Sequence, residues 1–440
     1  MRLGRCVLSL ALGGCLAHAQ PTNGPAEPID LPTALRLAGA RNLDVQIARE
    51  RLREAEANRT SALEQFFPWI APGIGYHRRD GMAQAVPSGI ISDAHFQSYA
   101  VGASLTAQVN LGDAIYQSLA ARQHVTASDQ ALETQRQDTI LAAARGFFEL
   151  ARAKALVEIA RQAQETSQDY EQQLHRAVGL GIAFKGDELR VRTQTRSYQI
   201  AARQALERQR IAAAELARVL HLDSRVDLVP QGAELVALTL VQTNAPLQAL
   251  IEQALSARPE LKQSAALLLA AKAEKNGALY GPLIPSLGVQ AFGGGLGGGP
   301  DSGASNFGAE GDYLVGATWR IGGGGLFDPG RTRATKARLT ATELAQTQLK
   351  DTVTTEVVTS LTRVQSLNDQ IALAEQKLAS ADETLRLTRE RKQFGVGVVL
   401  EDIQAQQDLT RARADYVTAI AEYNKAEYGL SRALGSPPAQ

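Results

Sequence analysis

The sequence predicts a mixed α+β chain: an internally duplicated coiled coil of long helices, interrupted by four membrane-type β-strands, two in each copy. Three observations carry this. Arg331 to Phe394 contains neither Gly nor Pro, and Asp113 to Val178 contains only Gly146, so each stretch can run as one helix of about 95 Å. One series of parts occurs twice. Between the shorter and longer helices lie segments whose apolar residues alternate with a period of two.

The repeat is visible residue by residue. Setting Gly181 on Gly395 also sets Ala205 on Ala419, Ala212 on Ala426, Leu216 on Leu430, Arg218 on Arg432 and Leu220 on Leu434. Upstream, Asn42-Leu43-Asp44-Val45 corresponds to Arg258-Pro259-Glu260-Leu261, and an Ala-rich stretch follows each. The chain therefore divides into a signal peptide (1–19), an N-terminal segment with a first short helix (20–67), a strand pair (68–110) and a long helical hairpin (111–220). An equatorial connection (221–246) leads to the second short helix (247–284), strand pair (285–322), long hairpin (323–435) and tail (436–440).

Arg2 and Arg5, the apolar run Val7–Leu12 and Ala17-His18-Ala19 form an export signal cleaved before Gln20. A second reading stands beside it, because Leu12-Gly13-Gly14-Cys15 has the form of a lipobox in which Cys15 becomes a lipidated N-terminus. Both cysteines, Cys6 and Cys15, lie in this segment, so the body of the chain has no thiol chemistry. Lys+Arg and Asp+Glu each total 46, so no bulk charge argues for nucleic acid or a strongly charged partner, and no nucleic-acid partner is expected. No apolar run approaches the roughly 18 residues of a membrane helix, so insertion into a bilayer falls to strands.

In the second long helix Val357, Val364, Ile371, Leu378 and Leu385 recur every seven residues, with Leu367, Ala374 and Ala381 as a companion seam. Alanine at many seam positions permits close approach to neighbours on both sides. The strands are clearest at Tyr99, Val101, Ala103, Leu105, Ala107 and Val109, and at Tyr313, Val315, Ala317, Trp319 and Ile321. Their partners begin after Pro68 (Ile70, Ile74, Tyr76) and Pro285 (Leu287, Val289). The polar, glycine-rich stretches Arg78 to His95 and Gly293 to Asp312 read as exposed hairpin loops. Gly293, Gly295 and Gly298 satisfy G-x-G-x-x-G, but no βαβ unit surrounds them, so they predict no dinucleotide site. Trp69 and Trp319, the two tryptophans of the chain, fall at helix-proximal strand ends, where interfacial aromatics mark a bilayer boundary.

The order of parts, the two Gly-x-x-x-x-x-acid turns (Gly181 to Asp187, Gly395 to Glu401) and the ending Gly429-Leu430-Ser431-Arg432-Ala433-Leu434-Gly435 resemble the TolC family of outer-membrane efflux proteins. The resemblance covers nearly all of the mature chain. It implies a homotrimer in which twelve strands form one outer-membrane β-barrel and the helices form a tapering α-barrel across the periplasm. It further implies two partners, a periplasmic adaptor and, through it, an inner-membrane pump of RND, ABC or MFS type. Four strands cannot enclose a lumen, whereas two or three chains would supply eight or twelve.

Within that resemblance, Leu180-Gly181-Ile182 and Phe394-Gly395-Val396 form the periplasmic mouth and dock the adaptor. Some relatives carry an Asp-x-x-Asp pair beside this rim; here the positions read Glu401 and Gln404, and Asp187 offers a second acidic position at the entrance. A helix-start carboxylate favoured by the dipole is the plain alternative for both acids. The sequence predicts no enzyme, cofactor or metal: the six histidines have no metal-ligand spacing, and no nucleophile elbow or phosphate loop occurs. A periplasmic coiled-coil adaptor or scaffold without a pore is the competing function, and the duplication and the Tyr99–Val109 alternation argue against it.

Overall fold

The computed structural model describes residues 26–67, 69–84, 89–232, 235–242, 245–300, 306–393 and 398–436. The signal peptide, Cys15 and the second glycine turn at Phe394, Gly395 and Val396 lie outside the described residues. In chain order the elements are β1 (Ala26–Ile29), α1 (Leu31–Arg41), α2 (Leu43–Glu64), β2 (Trp69–Gln84), β3 (Ile91–Asn110), α3 (Leu111–Gly179), α4 (Lys185–Val219) and β4 (Asp227–Pro230). The second copy contributes α5 (Leu247–Ala257), α6 (Pro259–Tyr280), β5 (Ser286–Pro300), β6 (Gly308–Thr318), α7 (Pro329–Gln393) and α8 (Val399–Ala433).

Each short helical segment is two helices, and local chemistry explains the break. Asn42 adopts extended backbone and its side chain accepts from the Asp44 N–H at 2.7 Å, capping α2. In the second copy Arg258 is extended because Pro259 follows it, and that proline occupies the first turn of α6, where its missing N–H costs nothing.

The chain forms two compact units. One comprises Leu35–Ala142, Ala237–Leu373 and Glu422–Gln440. Its four strands make one antiparallel sheet in the order β2-β3-β5-β6, so the strand pairs of the two copies join edge to edge. Its helical core packs Val353, Val357, Leu361, Val364 and Leu367 of α7 against Tyr423, Ala426 and Leu430 of α8, with Leu250 and Leu261 completing the cluster. The Arg432 side chain, 7 % exposed, donates to Glu260 and to Asp138 at 2.8 Å, and so ties α8 to α6 and α3. Beside these helices Glu427 Oε2 accepts from the N–H groups of Leu240 and Val241, and Asn424 Oδ1 accepts from that of Leu238. The extended end of the equatorial connection is held by these side chains as by a missing strand.

The other unit comprises Met1–Ala34, Ala143–Val236 and Ala374–Ala421. Here β1 and β4 pair in parallel, extended by a bond from Gln231 N–H to Ile29 C=O. Ala381 and Leu385 of α7 pack against Ala405, Leu409 and Ala412 of α8. Along α7 the heptad positions are buried or half-buried from Val357 to Leu385 as the spacing predicts, and Leu361 between them is buried too.

The duplication extends to backbone geometry. Helix α8 ends with Gly435 at φ 71°, its N–H bonded to Arg432 C=O and the next N–H to Ser431 C=O. In the first copy α4 ends identically, but the left-handed residue is His221 at φ 54°, with bonds to Arg218 and Ala217. One cap is therefore built twice, with glycine in one copy only.

The stretches read as hairpin loops are largely strand: β2 and β3 run through Arg78–Gln84 and Ile91–His95, and β5 and β6 through Gly293–Pro300 and Gly308–Asp312. The glycines of β5 leave room for aromatic rings from neighbouring strands. A Cβ on Gly295 would stand 2.1 Å from the Phe307 ring and one on Gly297 2.6 Å from the Tyr99 ring, and those two rings stack at 5.9 Å.

Candidate functional site

The sheet presents two chemically different faces, and register defines them. Ile70 pairs with Leu105, which pairs with Ala291, which pairs with Tyr313; directly paired residues point to one side. That side carries Ile70, Ile74 and Tyr76 of β2, Val101, Leu105 and Val109 of β3, Leu287 and Val289 of β5, and Tyr313 and Val315 of β6. Among these Ile74 is 86 % exposed and Val315 76 %, far more apolar surface than a water-facing sheet carries. The opposite side carries Ser104, Thr106, Gln108, Gln290 and Thr318 among glycines, with Trp69, Phe292, Leu296 and Leu314 as its larger apolar groups. From Tyr99 to Val109 the apolar row spans about 34 Å of strand, or about 25 Å in height once tilted, which matches the band of an outer-membrane barrel. Beyond Tyr76 and Tyr99 charge begins, with Arg78 bound to Asp80 at 2.8 Å and His95 Nδ1 3.1 Å from that carboxylate.

The two tryptophans do not share this boundary. Trp69 pairs with Thr106 and so lies on the polar side, while Trp319 follows β6 and its Nε1–H donates to Leu283 C=O at 3.3 Å. Their common position at strand ends gave no information on face, which register alone supplies.

The other unit holds the helical tip. Helix α3 closes with Gly181 at φ 76°, its N–H bonded to Val178 C=O and that of Ile182 to Ala177 C=O, both at 3.0 Å. The chain reverses there and Leu180, Ile182 and Phe184 stand about three-quarters exposed. Phe184 belongs to this apolar rim although the sequence reading stopped at Ile182. Its ring lies 2.5 Å from where a Cβ on Gly186 would be, so glycine at 186 is what lets it fold back over the start of α4.

Asp187 sits in the first turn of α4, 3.6 Å from Arg190. Glu401 occupies the first turn of α8 and is not a free carboxylate, since Arg391 Nη1 lies 3.2 Å away. Gln404 is exposed one turn further on.

The residue that sequence reading missed is Glu188. Its side chain is fully occluded from solvent, and what occludes it is a ring of three exposed cationic or imidazole side chains. Lys185 Nζ donates to Oε2, Arg192 Nη2 to Oε1 at 2.7 Å, and His175 Nδ1 lies 3.0 Å from Oε1. The bonds from Lys185 and then His175 hold this carboxyl below its ordinary value of 4.5. Lys185-x-x-Glu188-x-x-x-Arg192 was the available signal, being i+3 and i+4 spacing on one helix face. His175 belongs to α3, so the cluster fastens the two arms behind the rim. Because the folded pKa is depressed, this stabilisation is fully present above about pH 4.5 and is lost as pH falls through the lower folded value. Amide hydrogen exchange at residues 180–184 is expected to speed up several-fold in Glu188→Gln at pH 7, and in the wild type only upon acidification. Equal exchange in both at pH 7 would remove Glu188 from this role.

A sheet with one lipid-type face and one polar face, carried by a chain of paired long helices, defines a subunit of an outer-membrane channel. No helix among the described residues is long and apolar enough to cross a membrane. The family model for outer membrane efflux proteins matches residues 34–220 and 250–436, one match for each copy, and the chain belongs to that family. It is a protein of the outer membrane with a large periplasmic part. Among solved structures it is similar to the CmeC outer membrane channel of Campylobacter jejuni, at 17 % identity and TM-score 0.78 over 92 % of this chain and 85 % of that one. The outer membrane protein VceC of Vibrio cholerae matches at 17 % and 0.78 over 93 % and 97 %. The open state of the Neisseria gonorrhoeae MtrE outer membrane channel matches at 18 % and 0.75 over 92 % and 89 %. No curated protein sequence is significantly similar to this chain. The TolC-type resemblance read from the order of parts is borne out, and a pore-less adaptor is set aside.

Proposed function

We propose that three copies of this chain form a channel-tunnel, the passive exit duct of a tripartite efflux or type I secretion system. One observation carries the reading. Among the described residues the sheet is unpaired at both edges, β2 and β6, and these edges run antiparallel, so β6 of one copy continues into β2 of the next without changing the pattern. Three copies give twelve strands with the apolar rows toward outer-membrane lipid and the polar rows toward the lumen. Supporting it, Leu189, Ile200 and Ile211 of α4 are exposed at eleven-residue spacing, an apolar stripe on one helix face that a neighbouring copy would cover. The rims Leu180-Gly181-Ile182 and Phe394-Gly395-Val396 meet a periplasmic adaptor, through which an inner-membrane pump supplies the energy.

Detergent-purified protein is expected to have the mass of three chains and to conduct ions in planar bilayers; a single-chain mass without conductance would end the proposal. The same recordings test the entrance. Glu401→Gln is expected to lower cation preference, and Arg391→Gln, which frees the Glu401 carboxylate, to raise it. Unmoved reversal potentials in both variants would reject an entrance ring at Glu401.

A further inference from the structure

In the unit that holds the tip, α3, α4, α7 and α8 line an open cleft of about 650 Å³, within the size range of small-molecule sites. Its walls combine aromatic, apolar and charged groups: Tyr170 from α3, Val191 and Tyr198 from α4, Arg389 from α7, and Asp402 and Ile403 from α8. Tyr198 is 8 % exposed and lies against this space, with Gln194 and Thr410 beside its hydroxyl but no bond of good geometry to either. A buried hydroxyl without a well-aligned partner is able to accept a bond from a ligand in this space. Carboxylates outnumber cations on its walls. Burial first, then the charges of Asp402 and Asp187, push the Tyr170 phenol up to about 12. Asp169 adds a second wall carboxylate, against the single guanidinium of Arg389, which is held to Gln406 at 3.3 Å.

We propose that this cleft binds a small organic cation with an aromatic body and a primary ammonium group. The ring lies among Val191, Ile403 and the phenol faces, which attract both hydrocarbon and positive charge. The ammonium donates to the Asp402 carboxylate and to Tyr198 Oη. A neutral analogue satisfies neither the charge nor the geometry. Because the walls come from both helical hairpins, a bound ligand favours the separation of the hairpins seen here over any wider one.

Calorimetric titration of the purified full-length protein with benzylammonium, with benzyl alcohol as neutral isostere, tests the assignment. Benzylammonium is expected to bind saturably and at least about tenfold more tightly than the alcohol. Tyr198→Phe, which keeps the ring, should weaken it about fivefold, and Asp402→Asn about tenfold or more. Glu207→Gln, which removes an exposed carboxylate of α4 away from these walls, should leave it unchanged. The proposal is overturned by absence of saturable binding, by equal binding of the alcohol, or by a loss in Glu207→Gln matching that in Asp402→Asn. Wild-type affinity in correctly folded Tyr198→Phe and Asp402→Asn overturns it as well. The comparison of amine with alcohol needs no variant, so it stands even where a substitution impairs folding.

Discussion

Leu105→Arg is expected to keep the protein out of the outer membrane, while Thr106→Arg, one residue along the same strand, is expected to reach it. Leu105 lies midway along the apolar row from Tyr99 to Val109, between Ile70 and Ala291 on the neighbouring strands. A guanidinium at the middle of a barrel's lipid face costs about 2–4 kcal/mol. Any assembly of identical copies incurs that cost once per copy, against a total stability of only about 5–15 kcal/mol for an ordinary fold. Thr106 pairs with Trp69 and Gln290 on the polar side, where an arginine remains in water. Membrane fractionation separates the two outcomes, and bilayer recordings on Thr106→Arg should show a shift toward anions. Equal recovery of both variants in the outer membrane would mean that the apolar face does not meet lipid.

Gly181→Arg is expected to reduce export to the level of a strain lacking the protein, without lowering the amount assembled in the membrane. At φ 76° an L-residue other than glycine costs about 1–2 kcal/mol, a local strain that a cooperative fold tolerates. A Cβ there meets nothing within 4 Å, so the new side chain does not disturb the core. It places a long cation between Leu180 and Ile182 on a rim whose exposed surface is otherwise apolar. Gly181→Asn separates strain from docking, because asparagine tolerates left-handed backbone without adding charge; it should export nearly as the wild type does. Normal export by Gly181→Arg would remove the rim from adaptor docking.

Much of this architecture was legible because its signals are short-range. The seven-residue spacing from Val357 to Leu385 predicted one seam of α7, and those positions are buried or half-buried. Alternation from Tyr99 to Val109 predicted a strand with an apolar row, and pairing carries that row across all four strands. What escaped was set by partners remote in sequence. Gly293–Pro300 reads as a loop because glycine erases alternation, yet Phe307 and Tyr99 cover it as a strand. The β1–β4 pair is four residues long on each side with a proline in each strand, too little for any periodic signal. Glu401 looked like a free entrance acid until Arg391, ten residues earlier on another helix, was found beside it.

By itself the sequence determined the kinds of element, their order and their duplication, since helix and strand periods, glycine turns and proline breaks act over a few neighbouring residues. Only the tertiary structure decided which face Trp69 occupies, that Glu188 is enclosed by side chains from both arms of a hairpin, and that Tyr198 borders a cleft shared with Asp402. Those outcomes depend on strand register and on which helices approach one another, and these are long-range relations that no local pattern of residues encodes.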